Sequence, residues 1–273
     1  MKDKVCSNSV NNYSDKKTEY LASLKEKCPD FVNSEMKWRE KELDGIVDAN
    51  LYSCSPMKVL FIEHEPWAKS EDEYKGQIQS IKEFGHNPTG STSFSHGADI
   101  IKKLFKASSK EGCLERTAWI NIKKTPRIGT SKEVCSDIQN AFAVNCEFLF
   151  HQIEDINPKI IIGGDILNGC HAFWNSWHDE RMRYLCYVKI NEPDISQRIY
   201  ENNIDFLYES DTGLILVDIP HMSSYGNYGY SNKLPSIIDE TIPLIRQNSF
   251  TLSEEWINRR DRIKARRKNK VLP

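Results

Sequence analysis

The sequence predicts an α/β protein with three layers, α/β/α, around a four-stranded, mainly parallel sheet. Four short apolar runs carry this prediction: KVLFIE from Lys58, AWINI from Ala118, KIIIGG from Lys159 and LILVDIP from Leu214. They are rich in β-branched residues and do not alternate with polar ones, which is typical of strands covered on both faces. Helical patterns lie between them, and strands alternating with helices favour a parallel sheet with helices on both sides.

Helices are predicted from apolar residues that recur with the helical period. In the main part of the chain the patterns are DEYKGQIQSIKEF, ADIIKKLFKAS, EVCSDIQNAFAVNCEFLFHQIEDI, LNGCHAFWNSW and PSIIDETIPLIRQ. Two more, KKTEYLASLKEKC and SEMKWREKELDGIVDAN, precede the first strand, and Ser34 is the predicted N-cap of the second. We therefore divide the chain into a helical N-terminal extension (1–50), a catalytic domain (51–250) and a basic C-terminal tail (251–273).

Composition narrows the class of protein. The chain has 273 residues, a formal net charge of -2 and 39% hydrophobic residues, which suits a globular enzyme and argues against nucleic-acid binding by bulk charge. No apolar run reaches the length of a signal peptide core or a membrane span. Its 8 cysteines include no CxxC pair, as expected for free thiols. We expect a cytoplasmic protein without a membrane partner.

Polar, titratable and small residues follow each of the four predicted strands. The first strand leads into Glu63, His64 and Glu65, the second reaches Asn121, and the fourth reaches His221. The third ends in two glycines, and KKTPRIGTS follows the second. Because ligands of parallel α/β folds bind beyond the carboxyl ends of the strands, this edge is the predicted active site.

These strand ends resemble the motifs of the uracil-DNA glycosylase superfamily over roughly residues 58–246. The family has an acid-Pro-aromatic turn after its first strand, matched by EHEPW, and an asparagine at the end of the next strand, matched by Asn121. The segment INPKIIIGGD is similar to its third element, and HMSSY keeps two residues of its last motif. The resemblance implies a monofunctional glycosylase that flips a nucleotide out of duplex DNA, excises its base and leaves an abasic site.

The resemblance also implies roles for individual residues. Glu65 would orient water and stabilise the developing sugar cation, and His221 would hydrogen-bond the pyrimidine as negative charge builds on it. Asn121 would read the pyrimidine edge, since its amide both donates and accepts. No metal or cofactor is expected.

The remaining candidates would contact the base or the DNA strand. His64, Trp67 and Phe94 are assigned to base binding, with Phe94 stacking on the extruded ring. Ser223 could bind a phosphate, and Tyr225 stands where the family places a wedge that fills the vacated stack.

The base itself is expected to be a modified, possibly hypermodified phage-type, cytosine, with antiviral defence as the role. Two features favour this over plain uracil: Glu63 and His64 replace the family's usual glycine and its amide or acid, and a long aromatic and basic segment (176–213) could reshape the pocket. The alternatives are a uracil-DNA glycosylase of base-excision repair, a non-catalytic nucleic-acid-binding module and an unrelated α/β hydrolase.

Overall fold

The structure is a computed structural model, and it describes residues 18–252 except 42, 69, 71, 73, 87–91, 129–134, 167–185 and 221–232. Its strands are β1 (Gly45–Ile46), β2 (Val59–Glu63), β3 (Trp67–Ala68), β4 (Ala118–Asn121), β5 (Arg127–Ile128), β6 (Ile160–Gly164), β7 (Cys186–Ile190), β8 (Asp205–Glu209), β9 (Leu214–Ile219) and β10 (Phe250–Leu252). Its helices are α1 (18–27), α2 (Pro29–Arg39), α3 (Ala49–Ser53), α4 (Gln77–His86), α5 (Thr92–Leu104), α6 (Cys135–Ile156), α7 (Pro193–Glu201) and α8 (Leu234–Arg246).

The main sheet confirms the α/β class and the four predicted strands but is larger than predicted. In the described part of the chain it has eight strands in the order β1-β4-β2-β6-β9-β8-β7-β10. The four predicted strands form its centre, and all three of their pairings are parallel. The prediction of a four-stranded sheet is therefore wrong at both edges, where β1, β8, β7 and β10 add antiparallel pairings.

The added strands escape prediction because their patterns are mixed. In β7 the buried Val188 and Ile190 flank the exposed Lys189, and β8 begins and ends with the acids Asp205 and Glu209. Such strands do not have the continuous apolar run of the central four. The segment 176–213, predicted as an insertion that reshapes the pocket, contributes β7, α7 and β8 to this edge of the sheet.

Side chains of the central strands alternate between two apolar layers, as the period of a strand requires. One layer holds Phe61, Trp119, Ile162 and Val217 together with apolar residues of α4, α5 and α8. The other holds Leu60, Ile120, Ile161 and Leu216 together with the apolar stripe of α6. Helices thus cover both faces of the sheet, which is why its central strands carry no polar alternation.

The N-terminal extension is helical, but its second helix begins earlier than predicted. Pro29 occupies the first turn of α2, and the helix ends at Arg39, so Ser34 lies inside it and is not an N-cap. The pattern after Arg39 does not continue as one helix, because β1 pairs with β4 at residues 45 and 46. The predicted helix LNGCHAFWNSW lies outside the described residues. No helix within those residues is both long and apolar enough to cross a membrane.

Candidate active site

The carboxyl ends of the central strands place three predicted or neighbouring residues in one row. Glu63 of β2 lies opposite Asn121 of β4, and Gly164 of β6 lies on the other side of Glu63. All three are on the face of the sheet that also carries Phe61 and Trp119, because each lies two residues or a multiple of two along its strand from that layer. Both Glu63 and Asn121 are buried.

Glycine at position 164 makes room for the Glu63 carboxylate. A Cβ atom at this position would lie 3.1 Å from Glu63 Oε2. Since only glycine lacks that atom, the carboxylate can lie against the β6 backbone. The acid that departs from the family pattern is therefore matched by a neighbouring glycine.

Beyond the sheet, the segments after β2 and β4 stay paired and form a short parallel arm, which we define as residues 63–68 and 121–128. Its main-chain hydrogen bonds run from Ile122 N to Glu63 O at 2.9 Å, from Lys123 N to His64 O at 2.8 Å and from Arg127 N to Pro66 O at 2.8 Å. The arm ends in the two-stranded pairing of β3 with β5. This pairing carries residues that follow Asn121 to the side of Glu65.

Glu65 lies in the arm between two cations. Lys123 Nζ donates to Glu65 Oε2 at 2.8 Å, and Arg127 Nε lies 3.5 Å from Glu65 Oε1. The Glu65 side chain is only 4% exposed, whereas Lys123 is 13% and Arg127 27% exposed. The predicted catalytic carboxylate is thus the innermost group of a three-charge cluster.

This cluster is incompletely hydrogen-bonded. Glu65 Oε1 and Arg127 Nε are both buried atoms that have no hydrogen-bond partner in the described structure. Their ion pair is longer than a normal N–H···O hydrogen bond. Buried polar atoms are rarely left unbonded in native proteins, and those that are often mark functional sites.

Asn121 has an oxygen in the same condition. Its backbone N–H donates to Asp44 Oδ2 at 2.8 Å, which fixes the end of β4. Its side-chain Oδ1 is buried and accepts no hydrogen bond from the described residues. An amide in this state can read a donor on a ligand.

His64 is buried on the opposite side of the arm from solvent. Its Nε2 lies 3.4 Å from the carbonyl oxygen of Asp165, which has a positive φ of 62° in the turn after β6. The Asp165 N–H in turn donates to Ile219 O at 2.7 Å, so this turn joins the ends of β6 and β9. His64 is therefore tied to the neighbouring strand end.

A buried polar network supports the β4 end of the arm from below. Glu35 of α2 is fully buried, and its carboxylate accepts hydrogen bonds from Lys124 N at 2.7 Å, Thr125 N at 3.1 Å and Asn145 Nδ2 at 2.7 Å. Lys124 Nζ donates to Asp44 Oδ2 at 2.7 Å and to the Gln152 side chain at 2.9 Å. Residues of the N-terminal extension and of α6 thus hold the loop that carries Lys123.

The charge of Lys124 is compensated inside the protein. Burial lowers the pKa of the Lys124 ammonium, and the neighbouring Asp44 and Glu35 carboxylates oppose that shift. The ammonium also lies 5.2 Å from the centroid of the Phe148 ring. Because each acid accepts several hydrogen bonds, this part of the site is well satisfied, unlike the Glu65 cluster.

The other sequence-predicted residues fall into two groups. Phe94 packs edge-on against Trp119 at 5.5 Å and Phe84 at 5.6 Å between ring centroids, so the structure places it against the apolar layer below Asn121. The Trp67 backbone belongs to β3, while its side chain lies outside the described part of the structure. His221, Ser223 and Tyr225 also lie outside the described residues.

Sequence reasoning missed Lys123 and Arg127 as members of the site, together with the supporting Glu35 and Asp44. One signal was present, because the basic stretch KKTPR directly follows the second strand. Nothing in that stretch showed that it would pair with EHEPW. Among the described residues, no group of three or more His, Cys, Asp or Glu side chains is arranged to hold a metal ion.

A mixed-charge groove of about 570 Å³ lies elsewhere, between α5 and α8. Lys102, Lys103 and Lys106 line it together with Asp99 and Asp239. None of the sequence-predicted site residues contributes to it.

No family model, curated protein or solved structure matches this chain. What the site can do must therefore be judged from its own groups. At one sheet edge it combines a buried carboxylate flanked by two cations with a buried amide oxygen open to a donor.

Proposed function

We propose that the protein is a monofunctional DNA glycosylase that excises a pyrimidine base, a modified cytosine in the first instance. The observation that carries the proposal is the pairing, within one arm, of a charged carboxylate cluster at Glu65 with the unbonded amide oxygen of Asn121. The first suits the developing positive charge on a sugar. The second suits the edge of a flipped base.

The reaction needs little more than these groups. The bond between C1′ and the base nitrogen breaks, its electron pair leaves with the base, and a positive charge develops on the sugar. A carboxylate near C1′ stabilises that charge and orients the water whose oxygen adds to C1′. The water's proton ends on the departing base or solvent, with His221 proposed as the hydrogen-bond donor to the base.

The amide of Asn121 supports selection of a cytosine-like edge. Its free oxygen accepts a hydrogen bond, and cytosine offers an exocyclic amino group where uracil offers a carbonyl oxygen. Because the amide can also be turned to donate, uracil is the second candidate base. A strand in duplex DNA would have to present the base in a flipped conformation to reach a sheet edge of this kind.

The test is a base-release assay on the full chain. Oligonucleotide duplexes carrying uracil, cytosine or bulky cytosine modifications, and modified phage DNA, are incubated with the protein and then cleaved with alkali at abasic sites. We expect cleavage of a modified-cytosine strand, and about 10²–10³-fold slower cleavage by Glu65→Gln, because one preorganised electrostatic contact is lost. Glu209→Gln is the matched control, since Glu209 is a buried glutamate at the opposite edge of the sheet.

Each rival function predicts a different outcome. Cleavage of the uracil strand alone would assign the protein to uracil repair. Tight DNA binding without any abasic product, unchanged in Glu65→Gln, would favour a non-catalytic binding module. Activity abolished by a chelator would favour a metal-dependent hydrolase.

A further inference from the structure

We infer that Lys123 and Arg127 bind a backbone phosphate of the DNA strand, and that Glu65 competes with this phosphate for the same two cations. The inference rests on the proposed function for the identity of the ligand. It rests on the geometry of the Glu65 cluster for everything else.

The first step is the unsatisfied state of the cluster. Arg127 Nε is buried and has no hydrogen-bond acceptor in the described structure, and Glu65 Oε1 has no donor. At 3.5 Å the two atoms are an ion pair without a hydrogen bond. The guanidinium therefore still needs an acceptor that Glu65 does not provide.

The second step is the order of the charges from inside to outside. The carboxylate is 4% exposed, the ammonium 13% and the guanidinium 27%. An anion that approaches from solvent therefore meets Arg127 and Lys123 before Glu65. A cation that approaches the same place meets like charge.

The third step is the charge balance. Two cations face one carboxylate, so the cluster carries one uncompensated positive charge. A phosphodiester carries one negative charge and presents oxygens that match the fork of an arginine side chain. It would complete both the charge and the hydrogen bonding of the cluster.

The consequence is a link between DNA binding and the catalytic carboxylate. When a phosphate takes hydrogen bonds from Arg127 and Lys123, Glu65 gives up part of its contact with these cations. Its carboxylate then becomes available to the sugar that adjoins the bound phosphate. The same cluster would hold the strand and release the charge that the reaction uses.

The experiment measures binding of the full chain to an unmodified DNA duplex at several salt concentrations, so that it does not depend on base release. We expect Glu65→Gln to bind about tenfold more tightly, because the competing negative charge is removed while the shape is kept. Lys123→Met and Arg127→Met should each bind more weakly at every sequence. Each should also lower the slope of log affinity against log salt by about one, as for a lost phosphate contact.

Matched controls separate this site from general charge effects. Lys159→Met and Glu209→Gln make the same chemical changes at the opposite edge of the central strands, where Lys159 precedes β6 and Glu209 ends β8. Both should leave affinity and slope unchanged. Arg127→Lys keeps the charge but loses the fork, so it should keep the slope while affinity falls, which a purely structural role would not produce.

The results can overturn the inference independently of the proposed function. Weaker binding by Glu65→Gln, or an unchanged slope in folded Arg127→Met and Lys123→Met proteins, would show that the cluster is a structural ion pair. Tighter binding of inorganic phosphate but not of the duplex by Glu65→Gln would reject a nucleic-acid source of the phosphate. If the slopes change as expected but no base is ever released, the phosphate site stands and the glycosylase proposal falls.

Discussion

Two consecutive glycines at the end of β6 serve different purposes at the residue scale. A Cβ on Gly163 would lie 2.3 Å from Cγ1 and Cδ1 of Ile166, deep in the apolar layer that α6 covers. A Cβ on Gly164 would meet only the Glu63 carboxylate, at 3.1 Å. The first glycine makes room for packing and the second makes room for a charged group at the site.

Alanine substitutions should separate these two purposes. Gly163→Ala should lower the free energy of unfolding by about 1–3 kcal/mol, because overpacking forces Ile166 to shift. Gly164→Ala should cost much less stability, since a carboxylate can rotate away, but should reduce base excision by displacing Glu63. Urea denaturation and the base-release assay measure the two effects, and equal losses of stability in the two variants would contradict the assignment.

Much of the candidate site could be predicted at this scale from residue type and position. Glu65, His64 and Asn121 follow apolar runs whose ends must meet if the strands are parallel. The companions of Glu65 could not be predicted, because they depend on the pairing that continues beyond the sheet. That pairing is set by main-chain hydrogen bonds, which leave no signal in the side chains of KKTPR.

At the scale of elements, the loop after β4 is fixed by a helix that lies almost 90 residues earlier in the chain. Glu35 of α2 accepts two main-chain hydrogen bonds from the loop and one from Asn145 of α6. Because all these groups are buried, the carboxylate replaces the water that the loop would otherwise need. The predicted N-terminal extension (1–50) therefore contributes directly to the position of Lys123.

Replacing the Glu35 carboxylate should loosen this loop. Glu35→Gln puts an amide N–H2 in place of one of the oxygens that accept from Lys124 N, Thr125 N and Asn145 Nδ2, and it also removes a negative charge that faces Lys124. We expect a loss of about 1.5–3 kcal/mol of unfolding free energy, the usual worth of a hydrogen bond to a charged group. Glu40→Gln, at an exposed position just after α2, should change stability by less than about 0.5 kcal/mol. Equal stability of the two variants in urea denaturation would contradict this role.

The helices of the extension could be predicted from their periodicity, but their bounds and this contact could not. A buried glutamate in a charged helix looks like any solvated acid in the sequence. Ser34 looked like an N-cap because capping residues are recognised locally, whereas Pro29 had already started the helix. The same limit applies to β7 and β8, whose mixed patterns became strands only because β9 offered an edge to pair with.

For the whole molecule, burial of tyrosines ties stability to high pH. Burial raises the pKa of Tyr52 and Tyr74 above the ordinary value, and the charge of Asp44 adds to the shift of Tyr74. The Tyr52 hydroxyl also donates to Ile156 O at 3.2 Å, which joins α3 to the end of α6. Both groups therefore hold their protons in the folded state where the unfolded chain would lose them.

This predicts a fall in stability above about pH 10, the ordinary tyrosine pKa. There the unfolded chain binds fewer protons than the folded one, so the free energy of unfolding decreases as pH rises. The lowered pKa of Lys124 acts in the opposite direction only below the ordinary lysine value of about 10.4, so it does not offset the fall above that. Thermal unfolding across this range should show the decrease, and Tyr52→Phe should make it shallower. A slope that Tyr52→Phe leaves unchanged would remove Tyr52 as a source.

The class of fold could be predicted for the whole chain because four fully buried strands state their burial openly. The size of the sheet could not, since edge strands are defined by their neighbours. The predicted boundary after residue 250 shows the same limit, because β10 spans it and pairs with β7.

The parallel arm has a consequence for how such a site can change. Its two segments are joined through main-chain atoms at Glu63, His64 and Pro66, so the side chains there do not hold the arm in place. New side chains can therefore be tried at His64 or Lys123 without rebuilding the scaffold. For protein engineering, the arm is a short replaceable segment whose chemistry can be rewritten on a fixed backbone.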